Sequence, residues 1–147
     1  MLIIPRNILD ELVNQCEQEQ PIEACGILAG AIEKTESKQV KTVTKIYSCQ
    51  NELHSTTRYK IPADEQYHAF IDIEEQGLKL IGFYHSHPQG STAPSTIDKK
   101  LANYIGYSYL IITLNPVKVT AWIFQKDHEF TPESLSLLDG TQGSSDA

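Results

Sequence analysis

The chain has 147 residues, 40% hydrophobic and 21% charged, ordinary values for one globular domain with a sizeable core and far from those of a disordered chain. Twelve Lys and Arg stand against nineteen Asp and Glu, a net charge of −7, so no nucleic acid and no anionic membrane is expected as a partner, because both demand a basic footprint. Leu2-Ile3-Ile4 is the whole apolar run before Pro5, no later run approaches a membrane span, and the three cysteines (Cys16, Cys25, Cys49) form no CxxC pair; a cytoplasmic protein without a signal peptide is expected.

Ile8, Leu9, Leu12, Val13 and Cys16 fall at helical spacing between Pro5 and Pro21, which predicts an amphipathic helix over 6–19 with Cys16 in its apolar stripe. Residues 22–32 are nearly all apolar and read as a strand buried on both faces. Glu23 stands at its start. An unpaired carboxylate in such a strand needs a partner or an opening, and the residues alone leave two readings open: an acid–base group, or a carboxylate merely exposed where the strand begins. Cys25 lies two residues on and shares that face, which leaves a thiol near a site or plain packing as its readings. Glu33 to Gln39 reads as a charged turn, and the alternation of Val40 to Ser48 predicts a hairpin partner with one wet face.

Residues 51–58 are polar and read as a loop, followed by a short strand at Tyr59-Lys60-Ile61. Pro62-Ala63-Asp64-Glu65 is a helix start, with proline and acids in the first turn. Tyr67, Phe70 and Ile71 are expected to face inward, and Gly77 to end the helix.

Residues 78–84 are a mostly apolar run of strand type leading into His85-Ser86-His87-Pro88. A strand places residues i and i+2 on one face, roughly 6.5–7 Å apart, so His85 and His87 point the same way while Ser86 points to the other face. Pro88 and Gly90 stop the strand. Ser95 then reads as the N-cap of a helix whose stripe is Ile97, Leu101, Tyr104 and Ile105. Asp98 falls three residues past the cap, in the first turn, where a carboxylate is favoured and faces back toward the histidines. Two His and one Asp make three ligands, which leave tetrahedral zinc an open position for water, the pattern of a catalytic rather than a structural site. His54, His68 and His128 have no ligand-like spacing to one another. An extended peptide is expected beside such a site, by strand addition at an open sheet margin.

Tyr107 to Leu114 is a second apolar strand, Asn115-Pro116 a turn, and Val117 to Gln125 its antiparallel neighbour. Residues 126–138 read as a short strand or arm. The domain is therefore expected over 1–138, with a polar C-terminal tail at 139–147. Strands and helices mix without strict alternation, which predicts an α/β fold with a mixed sheet and helices on its faces.

Glu23 in Pro21-Ile22-Glu23-Ala24-Cys25-Gly26, His85-Ser86-His87-Pro88, the ten residues 88–97, and Asp98 in Ser95-Thr96-Ile97-Asp98 resemble the JAMM (MPN+) zinc metalloproteases, the short prokaryotic members most closely, over about residues 3–125. The resemblance implies an α-β-α sandwich with a mixed central sheet, similar in plan to the zinc (cytidine) deaminases. It implies one catalytic Zn2+ on His85, His87 and Asp98, and Glu23 as the general base activating a zinc-bound water. Ser95 is then both helix cap and hydrogen-bond donor to the substrate carbonyl or tetrahedral intermediate. The implied reaction is hydrolysis after the C-terminal Gly-Gly of a ubiquitin-like or sulfur-carrier protein, either freeing it from lysines or trimming residues beyond Gly-Gly. A non-catalytic scaffold of the same family is the alternative, and survival of all five positions disfavours it. A deaminase would need His-x-Glu and Pro-Cys-x-x-Cys, and the chain has neither. The compact chain leaves no room for the long insertions with which eukaryotic members grip ubiquitin.

Overall fold

A computed structural model describes residues 1–138; the polar tail expected at 139–147 lies outside them. In chain order the elements are β1 (Leu2–Pro5), α1 (Arg6–Glu19), β2 (Cys25–Lys34), β3 (Gln39–Cys49), α2 (Ala63–Glu75), β4 (Lys79–Ser86), α3 (Thr96–Leu101), β5 (Ser108–Thr113), β6 (Lys118–Phe124), β7 (Phe130–Glu133) and β8 (Leu135–Leu138). The strands form one sheet in the order β7-β6-β5-β4-β2-β3-β1-β8. The β2–β3, β2–β4, β5–β6 and β6–β7 pairs are antiparallel, while β4–β5, β1–β3 and β1–β8 are parallel. The sheet is therefore mixed, as the irregular order of helices and strands predicts.

Apolar side chains separate onto its two faces. On one, Ile8, Leu9, Leu12 and Cys16 of α1 pack with Leu28, Val43, Tyr84, Leu110 and Ile112. On the other, Ala69 and Ile73 of α2 pack with Cys25, Ile27, Ala29, Phe83 and Tyr109. Helices thus cover both faces of the central strands, an α-β-α arrangement. Gly82 lets β4 and β5 approach, since a Cβ there would collide with the Ser108 backbone.

β7 and β8 are separated only by Ser134 yet occupy opposite edges of the sheet. One residue spans at most about 3.6 Å, so the sheet curls until its two edges meet there. Ser134 is fixed by the amide of Leu2, which donates to its carbonyl at 2.9 Å. At the junction lies a buried charged cluster on the α1 face: Lys41 Nζ is 3.0 Å from Glu133 Oε2 and donates to Ser108 Oγ at 2.6 Å, and Ser108 Oγ donates to Glu133 Oε1 at 2.7 Å.

Several elements differ from the sequence reading. β2 begins at Cys25, not Ile22, because β3 ends opposite it at Cys49 and Glu23 bonds to a loop instead: its N–H donates to Ser55 O and its carbonyl accepts from Asn51 Nδ2. β2 is buried on both faces only as far as Gly30. Tyr59-Lys60-Ile61 forms no strand. On α2 the buried pair is Ala69 and Ile73, four residues apart, and Tyr67 is 63% exposed rather than inward. α3 stops at Leu101; Leu101 and Ile105 are more than half exposed, and Tyr104 leaves the helical stripe to pack on Phe83 at 4.8 Å between ring centroids.

Candidate metal centre

β4 delivers its two histidines at the end of a fully paired strand. His85 aligns with Cys25 on β2 and with Ile111 on β5, and the chain is held one residue further where His87 N–H donates to Ile112 O at 3.0 Å. Both rings project onto the α2 face, where burial leaves His85 2% and His87 6% exposed. Ser86 points to the other face, as alternation requires. Its hydroxyl accepts from Ala24 N–H at 2.8 Å and its amide donates to Ala24 O at 3.0 Å, stitching the segment after Glu23 to the strand between the histidines.

Asp98 arrives from α3. Ser95 Oγ accepts from Asp98 N–H at 3.0 Å while Ser95 N–H donates to Asp98 Oδ2 at 2.9 Å, a reciprocal capping box that aims the carboxylate back across the helix start. Asp98 Oδ2 then lies 3.2 Å from His85 Nε2 and 3.0 Å from His87 Nε2, and the two Nε2 atoms are 3.0 Å apart. Donors around a tetrahedral ion at 2.0–2.1 Å would be roughly 3.3 Å apart, so two imidazole nitrogens and a carboxylate oxygen already form one face of such a shell. His87 Nδ1 faces Ser91 O at 2.8 Å, which holds a proton on Nδ1 and leaves Nε2 as the nitrogen that would turn its lone pair to a metal. This trio is a group able to hold a metal ion among the described residues.

The surroundings set the charges. Burial alone would raise the Asp98 carboxyl, but the hydrogen bonds from His85 and His87 overcome it and keep the group ionised, well below the usual carboxylate range. Burial lowers His85, keeping it neutral as a ligand must be. For His87 burial also acts downward, yet the hydrogen bond and charge of Asp98 outweigh it and leave the net shift upward.

Glu23 sits 2% exposed beside this trio. Burial pushes its carboxyl up to about 8, with the His87 charge opposing and the Asp98 charge adding. Its Oε1 has no hydrogen-bond partner among the described residues, in a fold where buried polar atoms are normally paired. The position expected for it at a strand start is corrected by the loop bonds already described, but the carboxylate does lie at the site. Cys25 aligns with His85, yet its Sγ is turned toward Gln50 O at 3.4 Å, and burial pushes its thiol far above the usual range, as suits packing rather than reactivity. His54, His68 and His128 are all exposed and outside the cluster.

Two contributors escaped the sequence reading. Tyr59 stacks on the His85 ring, centroids 4.5 Å apart and planes 22° from parallel. Asn51 is 3% exposed and organises residues 51–60. The only signal for Asn51 was its place at the head of a polar loop, where Asn side chains bond nearby backbone; nothing in the sequence pointed Tyr59 at a histidine. The open sheet margin expected beside the site is absent, since β4 lies between β2 and β5. The accessible space is instead a cavity of about 550 Å³ adjoining Asp98, between the 53–61 loop, α2 and α3, with Tyr59, Phe83, Leu101 and Tyr104 among its walls.

Comparison with known proteins agrees with this geometry. Residues 5–125 match the sequence profile of prokaryotic homologs of the JAB domain. A desampylase of Haloferax volcanii is 34% identical over 94 residues, 63% of this chain and 63% of that protein. A CysO-cysteine peptidase of Mycobacterium tuberculosis is 26% identical over 113 residues, 77% of this chain and 73% of the other. The aligned stretch thus spans less than two thirds of the desampylase. A solved protein of Desulfitobacterium hafniense superposes with a TM-score of 0.83 at 29% identity, covering 95% of this chain and 94% of that one.

Proposed function

The chain belongs to the prokaryotic JAB-domain family, and from that membership we propose that it is a zinc peptidase cutting after the C-terminal Gly-Gly of a ubiquitin-like or sulfur-carrier protein. The observation that carries the proposal is the pairing of a three-donor cluster, its atoms 3.0–3.2 Å apart, with a buried, unpartnered carboxylate at Glu23. A scaffold has no use for such a carboxylate, because an unsatisfied buried group destabilises the fold.

Zinc held by His85, His87 and Asp98 supplies a Lewis acid that lets water ionise near neutral pH. The remaining work falls to the chain's own groups. Glu23, buried beside the three ligands with an Oε1 that no described residue engages, takes a proton from water and returns it to the leaving amine. Ser95 Oγ accepts from Asp98 N–H, which leaves its own hydrogen free to donate to the carbonyl oxygen of the scissile bond as charge develops there. The substrate tail lies in the cavity beside Asp98. Glycines before the scissile bond let the backbone approach the ligands closely, which bulkier residues would prevent. The names of the desampylase and CysO-cysteine peptidase relatives support a small modifier or carrier protein as the substrate.

The test is cleavage of a small β-grasp protein ending in Gly-Gly, fused either to a short C-terminal extension or to a lysine side chain. The expected product mass has a new C-terminal glycine, the reaction stops on chelation, and Gly→Ala at the last position slows it strongly. Broad digestion of casein, indifferent to Gly-Gly, would leave only a general peptidase; zinc binding without cleavage of any fusion would favour the scaffold.

A further inference from the structure

We infer that Asn51 is a positioning residue: one buried amide fixes both the backbone of Glu23 and the aromatic ring that orients the ligand His85. Its Nδ2 donates to Glu23 O at 3.1 Å and to Arg58 O at 3.0 Å, and its Oδ1 accepts from Leu53 N–H at 3.0 Å and Lys60 N–H at 3.2 Å. Those bonds, with a longer contact from Nδ2 to Ser55 O at 3.5 Å, engage both hydrogens and both lone pairs of the amide. It is therefore held in one orientation, and it holds its partners in turn.

Two consequences meet at the metal centre. The first concerns Glu23, whose carbonyl is bound by Asn51 and whose N–H donates to Ser55 O at 2.9 Å within the loop that Asn51 organises. The next residue, Ala24, is bound through both its N–H and its carbonyl to Ser86, between the two histidines. Glu23 is thus placed from both sides, by Asn51 and by β4. The second concerns Tyr59. Asn51 grips its two neighbours, Arg58 through the carbonyl and Lys60 through the amide, so the residue between them cannot swing away from His85. A metal-binding histidine ordinarily has its ring set by a hydrogen bond from the nitrogen that does not face the metal. His87 has such a bond, to Ser91 O, whereas His85 Nδ1 has none among the described residues. The stacked Tyr59 ring takes that orienting role for His85, and Asn51 sets the ring.

This inference builds on the proposed peptidase reading, and the experiment separates the two. Asn51→Asp keeps the shape and the acceptor bonds but turns an oxygen onto the carbonyls of Glu23 and Arg58; Asn51→Ala removes every side-chain bond. In zinc-loaded Asn51→Asp, kcat on the Gly-Gly fusion is expected to fall by roughly tenfold to a hundredfold, the consequence of misplacing a catalytic group by about an ångström. KM is expected to stay within about twofold, and the zinc content at one per chain. The kcat loss is expected to shrink in the Glu23→Gln background, since the part that acts through Glu23 has nothing left to position. NMR gives a readout without turnover: the ring-current shift that Tyr59 imposes on the His85 ring protons is expected to be lost in both variants. An unchanged kcat, a loss undiminished in the Glu23→Gln background, a retained ring-current shift, or failure of both variants to fold would each overturn the inference. A wild-type protein inactive on every fusion would count against the peptidase reading alone, and the NMR arm would still decide the role of Asn51.

Discussion

Two buried charged clusters lie on opposite faces of the same sheet, and they are built by opposite rules. On the α1 face, Lys41, Ser108 and Glu133 satisfy one another: the ammonium faces a carboxylate oxygen and a hydroxyl, and the hydroxyl donates to the other carboxylate oxygen. On the α2 face, Glu23 Oε1 and His85 Nδ1 have no partner among the described residues, and three donor atoms point at one another from 3.0–3.2 Å. Burial and charge are common to both, so neither marks function. What separates them is completeness: a closed network is a structural clamp, here where the sheet edges meet, while an open one needs a further atom before it is satisfied.

The largest effect expected from this contrast is on metal. His87→Ala and Asp98→Ala are each expected to lose zinc by elemental analysis. Turnover should fall by at least about a thousandfold, the several kcal/mol that a Lewis acid supplies. Both should still fold, because the core layers do not include these side chains. Unchanged zinc in either protein would show that the open cluster is not the ligand set.

The closed cluster should answer in the opposite way. Lys41→Ala leaves the buried Glu133 carboxylate without its close cation, the N-terminal ammonium standing 4.0 Å from Oε2, and is expected to lower stability by about 3–5 kcal/mol in denaturant melts. Zinc content and kcat per folded molecule should not change. Replacing all three groups together, Lys41→Met with Ser108→Ala and Glu133→Leu, should restore most of the loss, since no charge is then left unpaired. If Lys41→Ala lowered kcat while stability held, the division into clamp and site would break down.

Within the open cluster, Glu23→Gln distinguishes a base from a ligand. Zinc is expected to stay at one per chain while kcat falls by about a hundredfold or more, as for loss of a positioned acid–base group. Loss of zinc would make Glu23 a ligand, and near-normal turnover a bystander.

How much of this was legible in the sequence follows from the range of each interaction. His85, His87 and Asp98 could be placed because strand alternation and a helix cap are local geometries that act over two or three residues. Both held: the histidines share a face, and Ser95 and Asp98 form their reciprocal cap. The α1 boundaries followed for the same reason. Asn51 and Tyr59 escaped notice because they act through a loop whose partners, Glu23 and His85, lie 28 and 26 residues away. β1, β7 and β8 are four-residue strands, too short to show a period, and exist because the curled sheet supplies partners on distant segments. Glu133 and Lys41 look like ordinary surface charges in sequence; only the closure at Ser134 buries them. The stripe assigned beyond Leu101 failed because periodicity shows which residues would share a face and not whether a surface waits there to cover them.

The smallest expected effect is thermodynamic, and it tests the open cluster without any substrate. In the metal-free protein the Glu23 carboxyl is raised by burial from 4.5 to about 8. Between those values the folded state holds a proton that the unfolded chain has released, so stability declines as pH rises through the window, by about 1.4 kcal/mol per unit where the two states differ by one full proton. Below 4.5 both states are protonated and the contribution of this group is fully retained; above 8 both are ionised and the decline ends. Glu23→Gln has no proton to lose. The melting temperature of the chelated variant relative to wild type should therefore climb between pH 6 and pH 7, by roughly 3–5 °C for a domain of this size. Parallel pH profiles for wild type and Glu23→Gln would mean that the carboxylate finds a partner or water in solution, and the contrast between the two clusters would lose its physical basis.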